Sequence, residues 1–240
     1  MDNTLIILML TTIFVGVGKA GFSGLSLITI SIFASYFGKE SVGVLLPLLV
    51  IADLTVYPVM SKYGSWKQVW PLLPPALVGI GLGLYLLKVM PESWAKPVIG
   101  SMITLMLVVI LWKKWRPESA LHRSKLFGLL AALGGGVSTT LANAAGPVIN
   151  IYLLTKDFDK MVLVGISARF FLLINLIKLP LLGGIDLITY ESLLIDLKLA
   201  PFVIIGVFLG KKLLKKVPQA FFEWLLIGFA VLAAVRLFFF

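Results

Sequence analysis

The residues able to do chemistry sit inside apolar stretches. Lys19 and Ser23 lie in the run Gly18-Lys19-Ala20-Gly21-Phe22-Ser23-Gly24, and Asn143 opens Asn143-Ala144-Ala145-Gly146-Pro147, with Ser138, Thr139 and Thr140 just upstream. Asp53, Arg169, Asn175 and Lys178 are embedded singly. Charges at such places are costly and mark function or ion pairing. Cationic and amide donors outnumber the lone carboxylate, which favours an anionic ligand with several oxygens over a cation. Covalent and metal chemistry have little support. The chain has no cysteine and one histidine, His122, so disulfides, thiol catalysis and zinc or haem ligation are not expected. No embedded serine has a base partner, so a hydrolase site lacks its parts. Neither a cofactor nor a metal is expected, and the chain does not read as an enzyme.

What must position these residues is a membrane. Of 240 residues, 60% are hydrophobic and only 13% charged, about half the charge a soluble domain uses to cover its surface. Mean hydropathy is +1.05. The net charge of +10 comes from basic residues spread over short loops, which reads as positive-inside topology and not as a nucleic-acid face. The chain is therefore expected to be all-α and polytopic, with the lipid bilayer as its surroundings. The two glycine-rich runs interrupt apolar segments too short for a perpendicular span of about 20 residues. They predict broken helices or re-entrant hairpins, tolerated at membrane depth only where protein or a water-filled cavity satisfies the backbone. Short helices starting near Gly24 and Gly146 would aim free amides and positive dipole ends into that cavity. Pro147 suits a first helical turn.

The chain also repeats itself. A shift of 122 residues lays Gly24 on Gly146, Gly43 on Gly165, Asp53 on Asn175 and Pro58 on Pro180. A shift of 127 lays Pro74, Gly79, Gly83 and Pro91 on Pro201, Gly206, Gly210 and Pro218. Two units follow, residues 1–115 and 125–240, joined by a basic linker over 116–124. Placing Lys62 and Lys67, the linker with Lys113, Lys114, Arg116, Arg123 and Lys125, then Lys156 and Lys160, and Lys211, Lys212, Lys215 and Lys216 in the cytoplasm leaves both termini on the other side. Each unit then crosses an odd number of times, as three full helices plus a hairpin or as five crossings, and the two are inverted. Inverted units broken at matching places are the pattern of secondary transporters, with substrate near the bilayer midplane.

Asp53 lies about a dozen residues into its segment, roughly 18 Å along a helix, and its titratable carboxyl favours coupling to protons. Asn175 and Lys178 share a helix face at i, i+3. Arg169, nine residues before Lys178, points to the opposite side, so one of these two cations is expected to form a structural ion pair, with Asp53 as the available carboxylate. Gly79-x-x-x-Gly83 and Gly206-x-x-x-Gly210 read as helix-packing faces within the chain. Oligomeric state is not specified. A passive anion channel of the same architecture is the competing reading.

The glycine run 18–24, the Asn143–Pro147 motif and Asn175-x-x-Lys178-x-Pro180 resemble the TauE/SafE sulfite exporter family of membrane permeases, in order and spacing over essentially the whole chain. The resemblance implies transport of sulfite, organosulfonates or another small organic anion. It also implies a site made of Lys19, Gly21, Phe22, Ser23 and Gly24 at one re-entrant tip, Asn143, Ala144, Ala145, Gly146 and Pro147 at the other, and Asn175 and Lys178 on a facing helix. Arg169 has no counterpart in these motifs, so its role rests on membrane physics alone.

Overall fold

The computed structural model describes residues 3–115 and 124–239. The linker residues 116–123, with Arg116, His122 and Arg123, lie outside them. Among the described residues the chain is helical with no strand: α1 (Asn3–Lys19), α2 (Ser26–Phe37), α3 (Ser41–Met60), α4 (Trp66–Val69), α5 (Leu73–Val89), α6 (Glu92–Trp115), α7 (Lys125–Ala142), α8 (Ala145–Leu154), α9 (Lys160–Gly183), α10 (Tyr190–Lys216) and α11 (Gln219–Phe239). Six helical segments are long and apolar enough to cross a bilayer, namely Ser41–Met60, Trp66–Val89, Lys125–Ala142, Lys160–Gly183, Tyr190–Lys216 and Gln219–Arg236. The protein is a multi-pass membrane protein.

Burial separates the helices into layers. α3 and α9 are buried on nearly every face and pack against each other through the centre, as all-round apolar helices must. α5, α10 and α11 turn one face outward, with Val78 and Tyr85, Leu197 and Phe208, and Trp224 and Leu232 exposed. Outside a bilayer such apolar faces would be costly to solvate; within one they meet lipid.

Both glycine-rich runs are breaks. α1 ends at Gly21, whose φ of +134° is open only to glycine. There the amide of Phe22 reaches Val17 O and that of Gly21 reaches Gly18 O, the paired bonds of a Schellman stop. α7 ends at Asn143, in the left-handed region at φ 52°, ψ 25°, with its amide on Thr139 O and that of Ala144 on Ser138 O. The returning helices α2 and α8 have 12 and 10 residues, below the length of a full span. Each half of the chain thus has a broken hairpin followed by longer helices.

Glycines set how the hairpins are held. A side chain on Gly16 of α1 would strike Val203 O and the Gly206–Val207 backbone of α10, and one on Gly136 of α7 would strike Ala76 O, Gly79 and Ile80 of α5. In return, a side chain on Gly206 would meet Ile13 O, and one on Gly79 would meet Leu133 O. Gly83 lies against Thr140, and Gly210 against Val17 and Ala20, so both glycine-spaced faces pack within the chain. The long helices α3 and α9 behave alike: Gly43 abuts Leu187 O beyond the end of α9, and Gly165 abuts Tyr63 O beyond the end of α3.

Candidate anion site

The two breaks come together. A Cβ on Gly146 would lie 2.9 Å from that of Ser23, so the turn leading into α2 and the start of α8 touch. Between them and α9 is a cavity. Its walls are Gly18, Lys19, Gly21 and Ser23 at the first break, Ser26, Leu27 and Ile30 of α2, and Leu49 of α3. Thr139, Asn143, Ala144, Gly146, Pro147 and Asn150 contribute from the second hairpin, and Val164, Ser167, Phe171 and Asn175 from α9. The cavity volume is about 40 Å³, well above the 10–15 Å³ or so that one water requires, which suits a ligand of a few heavy atoms.

Lys19 ends α1 at the cavity edge. Its Nζ is 2.8 Å from Asp53 Oδ1 and 2.9 Å from Oδ2, and sits 4.6 Å from the centre of the Phe171 ring. Asp53, in mid-α3, is fully buried behind this wall and also accepts a 2.6 Å hydrogen bond from Asn175 Nδ2. Asp53 and Asn175, partners under the 122-residue shift, are therefore in direct contact. The carboxylate is paired with Lys19, not with Arg169 or Lys178 as expected from sequence.

Lys178 is buried one layer deeper. Its Nζ donates to Thr139 O at 2.6 Å, Thr139 Oγ1 at 3.0 Å and Asn143 Oδ1 at 2.7 Å, while Asn143 Nδ2 donates to Val42 O at 2.9 Å. Lys178 thus ties α9 to the stop of α7 and, through Asn143, to the start of α3. It stands behind the cavity wall and not in it. Arg169 points the other way, as its spacing from Lys178 demands. Its guanidinium donates to Tyr63 O and Gly165 O, each at 2.7 Å, and to Ser61 O, with its flanks over the Tyr57 and Trp66 rings at 5.8 and 5.9 Å. It fastens the turn after α3 to α9 and does not reach the cavity.

Of the residues singled out in the sequence, Gly18, Lys19, Gly21, Ser23, Thr139, Asn143, Ala144, Gly146, Pro147 and Asn175 line the cavity. Phe22 packs edge-on against Phe222 at 6.3 Å, Gly24 makes room for Phe229, and Ala145 is buried outside the lining. Sequence reasoning missed Ser26, Asn150, Ser167 and Phe171. Ser167, Phe171, Asn175 and Lys178 are spaced by four, four and three residues, one face of a helix, and that stripe was the available signal. Ser167 Oγ donates to Asn150 Oδ1 at 2.6 Å, joining α9 to α8 across the cavity floor. Among the described residues no group of three acidic or imidazole side chains is placed to hold a metal.

The polar atoms of the cavity are thus one ammonium, several hydroxyls and amides, and the starts of two helices whose first-turn amides have no partner within the helix. Such a set binds oxyanions and offers no nucleophile paired to a base. The chain matches the family described as Sulfite exporter TauE/SafE over residues 8–237. It belongs to the TauE/SafE family. Members of this family are membrane exporters, not enzymes, so the chain is a transport protein for a small anion such as sulfite. No curated protein and no solved structure matches it.

Proposed function

We propose that this TauE/SafE protein is a secondary transporter that carries a sulfur oxyanion, sulfite or an organosulfonate, through the cavity between its two broken hairpins. The observation that carries the reading is the meeting of Ser23 with Gly146 beside Lys19. Two helix starts and one cation then converge where a tetrahedral or pyramidal oxyanion can use all of its oxygens. Substrate would contact Lys19, Ser23, Asn143, Gly146 and Asn175, with Ser26, Asn150 and Ser167 as further donors. Lys178 acts from behind by holding Asn143 in place.

The reciprocal contacts support inverted halves that alternate access. Gly16 with Gly206 mirrors Gly136 with Gly79, Gly43 with Leu187 mirrors Gly165 with Tyr63, and the Asp53–Asn175 contact joins a residue to its own partner, as expected on a two-fold axis. In this reading the basic loops face the cytoplasm and both termini face the opposite side. Asp53 stays paired with Lys19, and a proton that travels on the substrate itself, as on bisulfite, would couple its flux to the proton gradient.

The test is ligand-dependent thermal stability of the purified full chain with sulfite, thiosulfate, sulfoacetate, taurine, acetate and chloride, followed by flux in liposomes. A ligand bound to the folded state raises its stability, by about 2.7 kcal/mol at a hundred times its Kd. Stabilisation by sulfite or a sulfonate, with flux against a substrate gradient when a proton gradient is imposed, is the expected result. Stabilisation by carboxylates alone would overturn the substrate class, and flux that only dissipates gradients would overturn the carrier mechanism in favour of a channel.

A further inference from the structure

The charges around the cavity do not cancel. Among the described residues, the charged groups at or directly behind its wall are Lys19, Asp53 and Lys178; Arg169, also on α9, is committed to the carbonyls of the turn after α3. Lys178 Nζ has three acceptors around it, the complement of the three donors of an ammonium group. Asp53 is shared between Lys19 and Asn175, and it offsets one cation only. One positive charge is left without a counter-charge, in walls that are otherwise neutral and largely apolar. Leaving a buried charge uncompensated is costly, and so is creating a second one of opposite sign.

Resting on the proposed anion site, we propose that the cavity selects singly charged oxyanions, bisulfite and organosulfonates, over doubly charged ones such as sulfate and fully ionised sulfite, and that Asp53 is the residue that sets this choice. A monoanion brings the buried cluster to neutrality. A dianion leaves it negative by one unit, in the same low-dielectric surroundings. Asn175 lines the cavity and donates from its amide nitrogen to Asp53. Asp53 does not line the cavity. It acts through Lys19 and Asn175, as a specificity-determining residue and not a contact.

The experiment is titration calorimetry of the full chain in lipid nanodiscs with methanesulfonate, sulfate, and sulfite across the pH range in which bisulfite loses its proton. Expected for the unaltered protein is methanesulfonate binding about tenfold or more tighter than sulfate, the scale of one uncompensated charge at close range. Affinity for total sulfite should fall about tenfold per pH unit once the monoanion is depleted, while methanesulfonate, which keeps its single charge, does not follow. Asp53→Asn preserves shape and frees a second positive charge, so sulfate should gain about tenfold relative to methanesulfonate, a reversal that a merely structural role would not produce. Equal binding of sulfate and methanesulfonate by the unaltered protein overturns the charge rule while leaving the anion site standing. A folded Asp53→Asn variant with unchanged selectivity overturns the role of Asp53. Failure of every sulfur oxyanion to bind overturns both this inference and the proposed function. Where Asp53→Asn does not fold, the unaltered protein's own ratio and pH series decide the charge rule.

Discussion

Two glycines two residues apart on α5 make the packing argument testable within a single helix. Gly79 faces α7: a side chain there would run into Leu133 O and come within 3.0 Å of the Gly136 Cα and of Leu133 C. Gly81 faces outward, with nothing within 4 Å of the same construction. The atoms opposing Gly79 are backbone, which cannot rotate away as a side chain can. Gly79→Ala must therefore push α5 and α7 apart by about 1 Å along a seam where they are in backbone contact, and overpacking of this kind costs about 1–3 kcal/mol. Gly81→Ala incurs no clash and removes a residue that disfavours helix by up to about 1 kcal/mol relative to alanine. The two substitutions add the same methyl group to the same helix, so the propensity gain is common to both and they should differ by the clash alone, about 1–3 kcal/mol. Thermal unfolding in a mild detergent, followed by intrinsic fluorescence of the six tryptophans, measures the difference: Gly79→Ala lowers Tm and Gly81→Ala leaves it unchanged or raises it. Indistinguishable Tm values would refute the close approach of α5 to α7. Gly206→Ala, at the matching seam with α1, should behave as Gly79→Ala does.

Three other outcomes follow from the buried polar contacts. Lys19→Ala should abolish anion binding in calorimetry and, by stranding Asp53, lower stability by about 3–5 kcal/mol; adding Asp53→Ala should restore part of the stability and none of the binding. Lys178→Met leaves Asn143 Oδ1 without its donor, at about 1–3 kcal/mol, while Thr139 O keeps the Asn143 amide, so its Tm should fall, and a Tm equal to that of the unaltered protein would remove Lys178 from the structural core. Arg169→Lys keeps the charge but loses the planar fork that bridges three carbonyls and lies over Tyr57 and Trp66; hydrogen exchange at residues 61–65 should rise several-fold while ligand affinity stays within about twofold, because the guanidinium is turned away from the cavity.

Much of the scaffold was legible in the sequence because backbone demands leave a mark. The stops at Gly21 and Asn143 need positive φ, and glycine and asparagine are the residues that supply it. The glycine-spaced faces of α5 and α10 signalled close helix packing, and the 122- and 127-residue shifts aligned residues that make reciprocal contacts. Side-chain partners were less legible. Nothing local connects Lys19 to Asp53, 34 residues away, and a buried carboxylate offered to two cations on α9 was claimed by a third on α1. Arg169 found carbonyls of a turn, acceptors that every residue carries and that no sequence pattern announces. Asn150 and Ser167 were passed over because single polar residues in apolar helices resemble ordinary packing until the cavity gives them a direction. Phe22 and Gly24 sit in the right motif yet serve the fit of α11, since a glycine-rich run supplies close packing as well as a binding turn.

The glycine seams also bear on how such a chain can be made. α1 finds its closely fitted partner in α10, and α7 finds its own in α5, so the tightest helix seams run between the two halves of the chain. During synthesis α1 must wait in the bilayer, its Gly16 face against lipid or a transient neighbour, until most of the second half has been inserted. The first hairpin, with Lys19, is then translated well before α10 and reaches its final packing only after it. The two halves expressed as separate chains should each be short-lived and should accumulate only when produced together, as complementary pieces of one interlocked bundle.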